Sequence, residues 1–96
     1  MEETMKLALY SKPGCHLCEG LEEKLATLSG YEVEIRDITT QPAWFEAYRY
    51  EIPVLCQLIE TPEGTREQRL PRISPRASAQ QVDQMIQKYT GQSRGK

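Results

Sequence analysis

At 96 residues, 39% hydrophobic and 27% charged, the chain has the composition of one ordinary globular unit, read as a single domain over 1–96. A net charge of −2 argues against a nucleic-acid partner, because a phosphate backbone selects a basic face. No apolar run approaches the roughly 20 residues that span a bilayer, and the acidic start Met1-Glu2-Glu3 lacks a signal-peptide core, so neither a membrane role nor export is expected.

Met5 to Tyr10 reads as a short inner strand, with Leu7 and Leu9 on one face and Ala8 on the other. Ser11-Lys12-Pro13-Gly14 is a turn signal, since proline fixes one dihedral and glycine frees the next. From Cys15 the period changes. Leu17, Leu21, Leu25 and Leu28 mark a helical stripe, with Glu19, Glu22, Glu23 and Lys24 off it, and Ser29-Gly30 is the expected stop. Tyr31 to Ile38 alternates as a half-buried strand, Tyr31, Val33 and Ile35 facing inward. A strand–helix–strand run of this kind joins parallel strands.

A second helix is predicted from Pro42, with Thr40 or Gln41 near its cap and Ala43, Trp44, Ala47 and Tyr48 on its buried side. Val54 to Glu60 and Thr65 to Leu70 read as an antiparallel hairpin around Thr61-Pro62-Glu63-Gly64, the second strand a polar edge. Pro71 to Pro75 is a loop. Ser78 caps a last helix to about Tyr89, with Ala79, Val82, Met85, Ile86 and Tyr89 as its packed stripe. The polar 91–96 segment is read as a flexible tail beyond a core of about 5–89. The order β-α-β-α-β-β-α gives an α/β fold, a four-stranded mixed sheet flanked by helices. Arg66, Arg69, Arg72 and Arg76 read as a solvated strand-and-loop face.

Three cysteines, two of them separated by two residues, do not make the disulfide framework of a secreted scaffold. The pair belongs to a reducing compartment, so a cytoplasmic location is expected. Cys15 lies at a helix start, where unpaired N–H groups favour the thiolate, the reactive form of cysteine. Cys18 returns to nearly the same side of that turn. Position therefore makes Cys15 the nucleophile and Cys18 the resolving thiol of an exchange through a mixed disulfide. Zinc is disfavoured: Cys15, Cys18, Cys56 and His16 are the only soft donors, and adjacent Cys15 and His16 do not easily meet at one ion, so no metal is expected. His16 either steadies the thiolate or faces solvent. Lys12 either adds positive potential and guides an anionic substrate or is a plain surface lysine. Cys56, in an apolar run, reads as a small buried hydrophobe.

Tyr10-Ser11-Lys12-Pro13-Gly14-Cys15-His16-Leu17-Cys18-Glu19 after a strand, with Ile52-Pro53-Val54-Leu55 before a later one, resembles the glutaredoxin-like branch of the thioredoxin superfamily, and more narrowly the small bacterial members with a Cys-His-Leu-Cys site. The resemblance spans about Met5 to Tyr89. It implies a thioredoxin-like, glutaredoxin-type fold and a cis Ile52–Pro53 bond placing Pro53 beside Cys15. It also implies that Ile52 backbone groups pair with an extended peptide or glutathione, and that Pro53 keeps metal from the dithiol. The implied function is thiol–disulfide exchange at Cys15 and Cys18 in redox homeostasis. Protein or small-molecule disulfides are the implied partners, and the reductant is glutathione or a thioredoxin reductase system. The protein is expected to be a monomer without a tightly bound cofactor, glutathione being a candidate co-substrate.

The chain departs from glutaredoxins in two places. Arg72-Ile73-Ser74-Pro75-Arg76-Ala77-Ser78 stands where they carry a Gly-Gly pair and an acidic residue, which leaves Arg72 or the helix start near Ser78 to accept a carboxylate. The dipeptide between the cysteines is His-Leu, neither Pro-Tyr nor Gly-Pro. Two alternative functions remain at this level: a [2Fe–2S] cluster held between two copies with glutathione, and an interaction module whose dithiol is vestigial.

Overall fold

The computed structural model of the chain describes residues 4–90. The elements run β1 (Met5–Ser11), α1 (His16–Ala26), β2 (Tyr31–Asp37), a 3-10 turn (Ile38–Thr40), α2 (Pro42–Tyr48), β3 (Val54–Thr61), β4 (Gly64–Arg69) and α3 (Ala79–Thr90). They form the expected four-stranded mixed sheet, in the order β2-β1-β3-β4. β1 and β2 are parallel, whereas β1–β3 and β3–β4 are antiparallel. The tail expected at 91–96 lies outside the described residues.

Period-two alternation in β1 and β3 sends side chains to two separate cores. Leu7, Leu9 and Leu55 meet Leu21 and Leu25 of α1 and Val82 and Ile86 of α3 on one face. Ala8, Tyr10, Val54 and Cys56 meet Ile38 on the other, where Trp44, Phe45 and Tyr48 of α2 cover them. β4 is exposed along its whole length. Its charged side chains discourage pairing with another edge, as the sequence predicts. The arginine face is solvated but not idle: Arg69 pairs with Glu51, and Arg72 donates to the Glu51 carbonyl at 3.2 Å.

Several side chains lie elsewhere than the periodicity predicts. In α1 the buried stripe is Cys18, Leu21 and Leu25, while Leu17 is 49% exposed. A step of about 100° per residue means that once Cys18 turns inward, Leu17 cannot follow it. Ile35 and Tyr89 are also exposed, because β2 is an edge strand and α3 reaches its end there. In α2 the covered residues are Trp44, Phe45 and Tyr48, and both Ala43 and Ala47 are exposed. The helix α1 stops at Ala26, so Gly30 (φ +90°) serves the turn into β2 instead of capping α1. The 3-10 turn was not expected. It forms because the Asp37 side chain accepts the Thr39 N–H at 2.9 Å.

Candidate active site at the start of helix α1

The turn that delivers Cys15 is built by Lys12-Pro13-Gly14. The Cys15 N–H donates to the Lys12 carbonyl at 3.3 Å, and Gly14 takes φ +82°. Proline followed by a left-handed glycine is the signature of a type II turn, and this conformation is strained for other residues. Cys15 then occupies the N-cap of α1 with extended backbone, and its Sγ accepts the Cys18 N–H at 3.2 Å. A sulfur thus stands where a serine or aspartate oxygen ordinarily caps a helix, at the positive end of the helix dipole.

Cys15 and Cys18 are joined as a disulfide, with Cα atoms 5.3 Å apart. Their exposure differs. Cys18 is 2% exposed and packs behind Cys15, which is half-buried and reaches the surface. Only Cys15 is open to an incoming sulfur. Cys56 lies in the core under α2, on the other face of the sheet from α1, and burial pushes its thiol pKa up. Its role is that of a small core side chain.

The remaining sequence candidates fall around the cysteines in different ways. His16 projects into solvent, its side chain 94% exposed, with Nδ1 3.7 Å from the Glu19 carboxylate. Lys12 is exposed and contributes its carbonyl to the turn. The Ile52–Pro53 peptide bond is cis. The Ile52 N–H, however, donates to the Tyr48 carbonyl at 3.1 Å, so of the two backbone groups expected to be free only the carbonyl has no partner among the described residues. Arg72 stands within reach of the site but spends one donor on Glu51.

A groove of about 200 Å³ opens beside the disulfide. It brings together His16, Leu17 and Lys24 of α1, Pro53, and the Arg72 to Pro75 loop. Lys24 Nζ donates to the Pro75 carbonyl at 2.9 Å and ties α1 to that loop. Leu17, Lys24, Ile73 and Pro75 are site neighbours that the sequence reading did not find. The signal for Leu17 was available: Cys18, Leu21 and Leu25 at spacings of three and four already make a complete buried stripe. The loop was singled out in the sequence, because Arg72 to Ser78 stands where glutaredoxins carry a Gly-Gly pair, but that Ile73 and Pro75 line a groove with α1 is set by the tertiary fold.

A polar cluster under α2 was likewise unforeseen. Tyr10 Oη donates to Glu67 at 2.6 Å and accepts from Arg36 at 2.7 Å, and Arg36 also pairs with Glu34 and Glu67. Burial and the hydrogen bond to Glu67 push the Tyr10 pKa up. Burial alone would lower that of Arg36, but its bonds to Glu34, Glu67 and Tyr10 outweigh it and raise the pKa. This cluster fastens β2 and β4 across the sheet, away from the disulfide.

Comparison with solved structures places these features in a known fold. The chain is similar to target protein XcR50 from X. campestris at 28% identity, with a TM-score of 0.57 and coverage of 85% of this chain and 96% of that one. It is similar in fold to thioredoxin 1 from the thermophilic eubacterium Thermosipho africanus (19% identity, TM-score 0.55, 91% and 96% covered). The Trx4 domain of ERdj5 shares the fold as well (11% identity, TM-score 0.58, 92% and 81% covered). No curated protein matches the sequence. The model of the family described as Glutaredoxin-like domain (DUF836) matches residues 6–87, nearly the whole chain, and the protein therefore belongs to this glutaredoxin-like family of the thioredoxin fold.

Proposed function

We propose that the protein is a thiol–disulfide oxidoreductase that uses Cys15 as nucleophile and Cys18 as resolving thiol. The observation that carries this reading is the asymmetry of the pair: an accessible sulfur at the N-cap of α1, backed by a buried one close enough to bond it. In the reduced protein, the helix dipole and the Cys18 N–H favour the Cys15 thiolate over the thiol. That thiolate attacks one sulfur of a substrate disulfide, forming a mixed disulfide and expelling the other substrate sulfur as a thiolate that takes up a proton. Cys18, deprotonated, then attacks the Cys15 sulfur. The bond to the substrate breaks, its second thiolate leaves and is protonated, and the Cys15–Cys18 disulfide forms. Two electrons and two protons pass from the dithiol to the substrate, and a thiol reductant, glutathione or a thioredoxin reductase system, returns them.

Pro53, on the groove wall, limits approach from one side, and the Ile52 carbonyl is the backbone acceptor left for an extended substrate. Lys12 and Arg72 add positive charge for an anionic one. In this reading the chain works as a monomer in the cytoplasm. The test is chemical. Cys15→Ser is expected to abolish disulfide reduction, and Cys18→Ser to accumulate a mixed disulfide with substrate, visible by mass spectrometry. In the reduced wild type at pH 6, iodoacetamide is expected to modify Cys15 ahead of Cys18. Equal labelling of the two would overturn the assignment.

A further inference from the structure

The groove beside the disulfide carries features that exchange chemistry alone does not require. Leu17 is half exposed on the first turn of α1 and contributes little to the core, yet it shares the groove with Ile73, Pro53 and Pro75. That is apolar surface held open to water at the segment between the two cysteines, to which Leu17 belongs. The groove's two cations, Lys24 and Arg72, have no carboxylate partner among the described residues, and no acidic side chain lines it, although the chain's net charge is −2. Each is steadied by one bond to a backbone carbonyl, Pro75 for Lys24 and Glu51 for Arg72.

Part of the backbone next to the groove is already engaged. The Arg76 and Ala77 N–H groups donate to Ser74, and Ser78 and Gln81 cap each other reciprocally, N–H to side chain in both directions. Three of the main-chain donors between the groove and α3, those of Arg76, Ala77 and Ser78, are thus satisfied from within. Glutathione, with two carboxylates, one ammonium group and no apolar side chain, would find the cations but have no use for the apolar wall.

Resting on the exchange reaction proposed above, we infer that the groove selects protein disulfides that carry a bulky apolar residue and a carboxylate close to the cysteine, in preference to glutathione. The apolar side chain covers Leu17 and Ile73, while the carboxylate meets Lys24 and Arg72. The substrate is held by its sequence around the cysteine, and the sulfur is presented to Cys15.

The test compares mixed disulfides of one chromogenic thiol with glutathione and with short peptides containing Cys-Leu-Asp, Cys-Gly-Asp or Cys-Leu-Lys. Covering a leucine in a partly open groove is expected to make kcat/KM about tenfold higher for Cys-Leu-Asp than for Cys-Gly-Asp. Glutathione is expected to react no faster than the glycine peptide. The advantage of Asp over Lys is expected at low salt and to fade at 1 M. In Leu17→Ser the leucine-to-glycine ratio falls toward one, and a ratio is unaffected by any change the substitution makes in the dithiol's potential. Ile73→Ser gives the same readout from the other wall. A leucine-to-glycine ratio near one in the wild type, or glutathione reacting fastest, overturns the inference while leaving exchange intact. Failure of all four substrates to react overturns the exchange reaction itself.

Discussion

Cys56 and Tyr10 occupy the core under α2, and both resist ionisation because burial removes water from the charged form. Their pKa values are raised in the folded state, from ordinary values of 9.0 for the thiol and 10.0 for the phenol. Above those values the unfolded chain loses protons that the folded chain keeps, so the unfolded state binds fewer protons and folding stability falls as pH rises. Stability is expected to be level in this respect below pH 9 and to decline above it, first through Cys56 and then through Tyr10. Denaturant melts of the wild type and Cys56→Ala at pH 8, 9 and 10 provide the check: the variant starts less stable but shows a shallower decline between pH 8 and pH 10. A parallel decline in both proteins would mean that the thiol does not contribute. Cys15 behaves differently although it is the same residue type. It caps the start of α1 and reaches the surface, whereas Cys56 is enclosed by the core, and on that difference of place the proposed reaction rests.

At the scale of elements, the start of α3 is held by a reciprocal cap: Gln81 N–H donates to Ser78 Oγ at 3.1 Å, and Ser78 N–H donates to Gln81 Oε1 at 2.8 Å. This is a capping box, and Ser78→Ala is expected to cost about 1 kcal/mol. It would appear as a lower urea midpoint with an unchanged slope. The cap was legible in the sequence as a serine ahead of an apolar stripe, and so were the hairpin and the turn before Cys15, because each is set by residues within a few positions of one another. Faces were less legible. Periodicity identified α1 as amphipathic but could not say where on the helix the cover ends, so Leu17 was counted with the core and belongs to the groove. The Tyr10, Arg36 and Glu67 cluster was not legible at all. It joins three strands whose lateral order, β2-β1-β3-β4, is set by the whole sheet. The candidate site divides in the same way: the cysteines were found from local spacing, and the groove beside them required the loop before α3 to be laid against α1.

At the scale of the whole molecule, two strands, β1 and β3, belong to both cores. Leu7 and Leu9 of β1 pack toward α1 and α3, while Ala8 and Tyr10 pack toward α2. Loss of packing on one face must therefore loosen the strands that support the other. The chain has one tryptophan, Trp44, and it lies on the α2 side with its ring 5.5 Å from that of Tyr10. It reports on a core that Ile86 never joins, since Ile86 is fully buried among the α1 and α3 side chains. Ile86→Ala leaves a cavity there and is expected to cost about 3 kcal/mol, within the roughly 5–15 kcal/mol typical of a small fold. If the shared strands couple the two faces, the Trp44 fluorescence transition in urea moves to lower concentration by the same amount as the far-ultraviolet circular dichroism transition, and the two remain coincident. A variant whose dichroism midpoint falls while its Trp44 midpoint stays in place would show that the faces unfold separately. The α2 core would then be a unit of its own, and the shared strands would not be coupling elements.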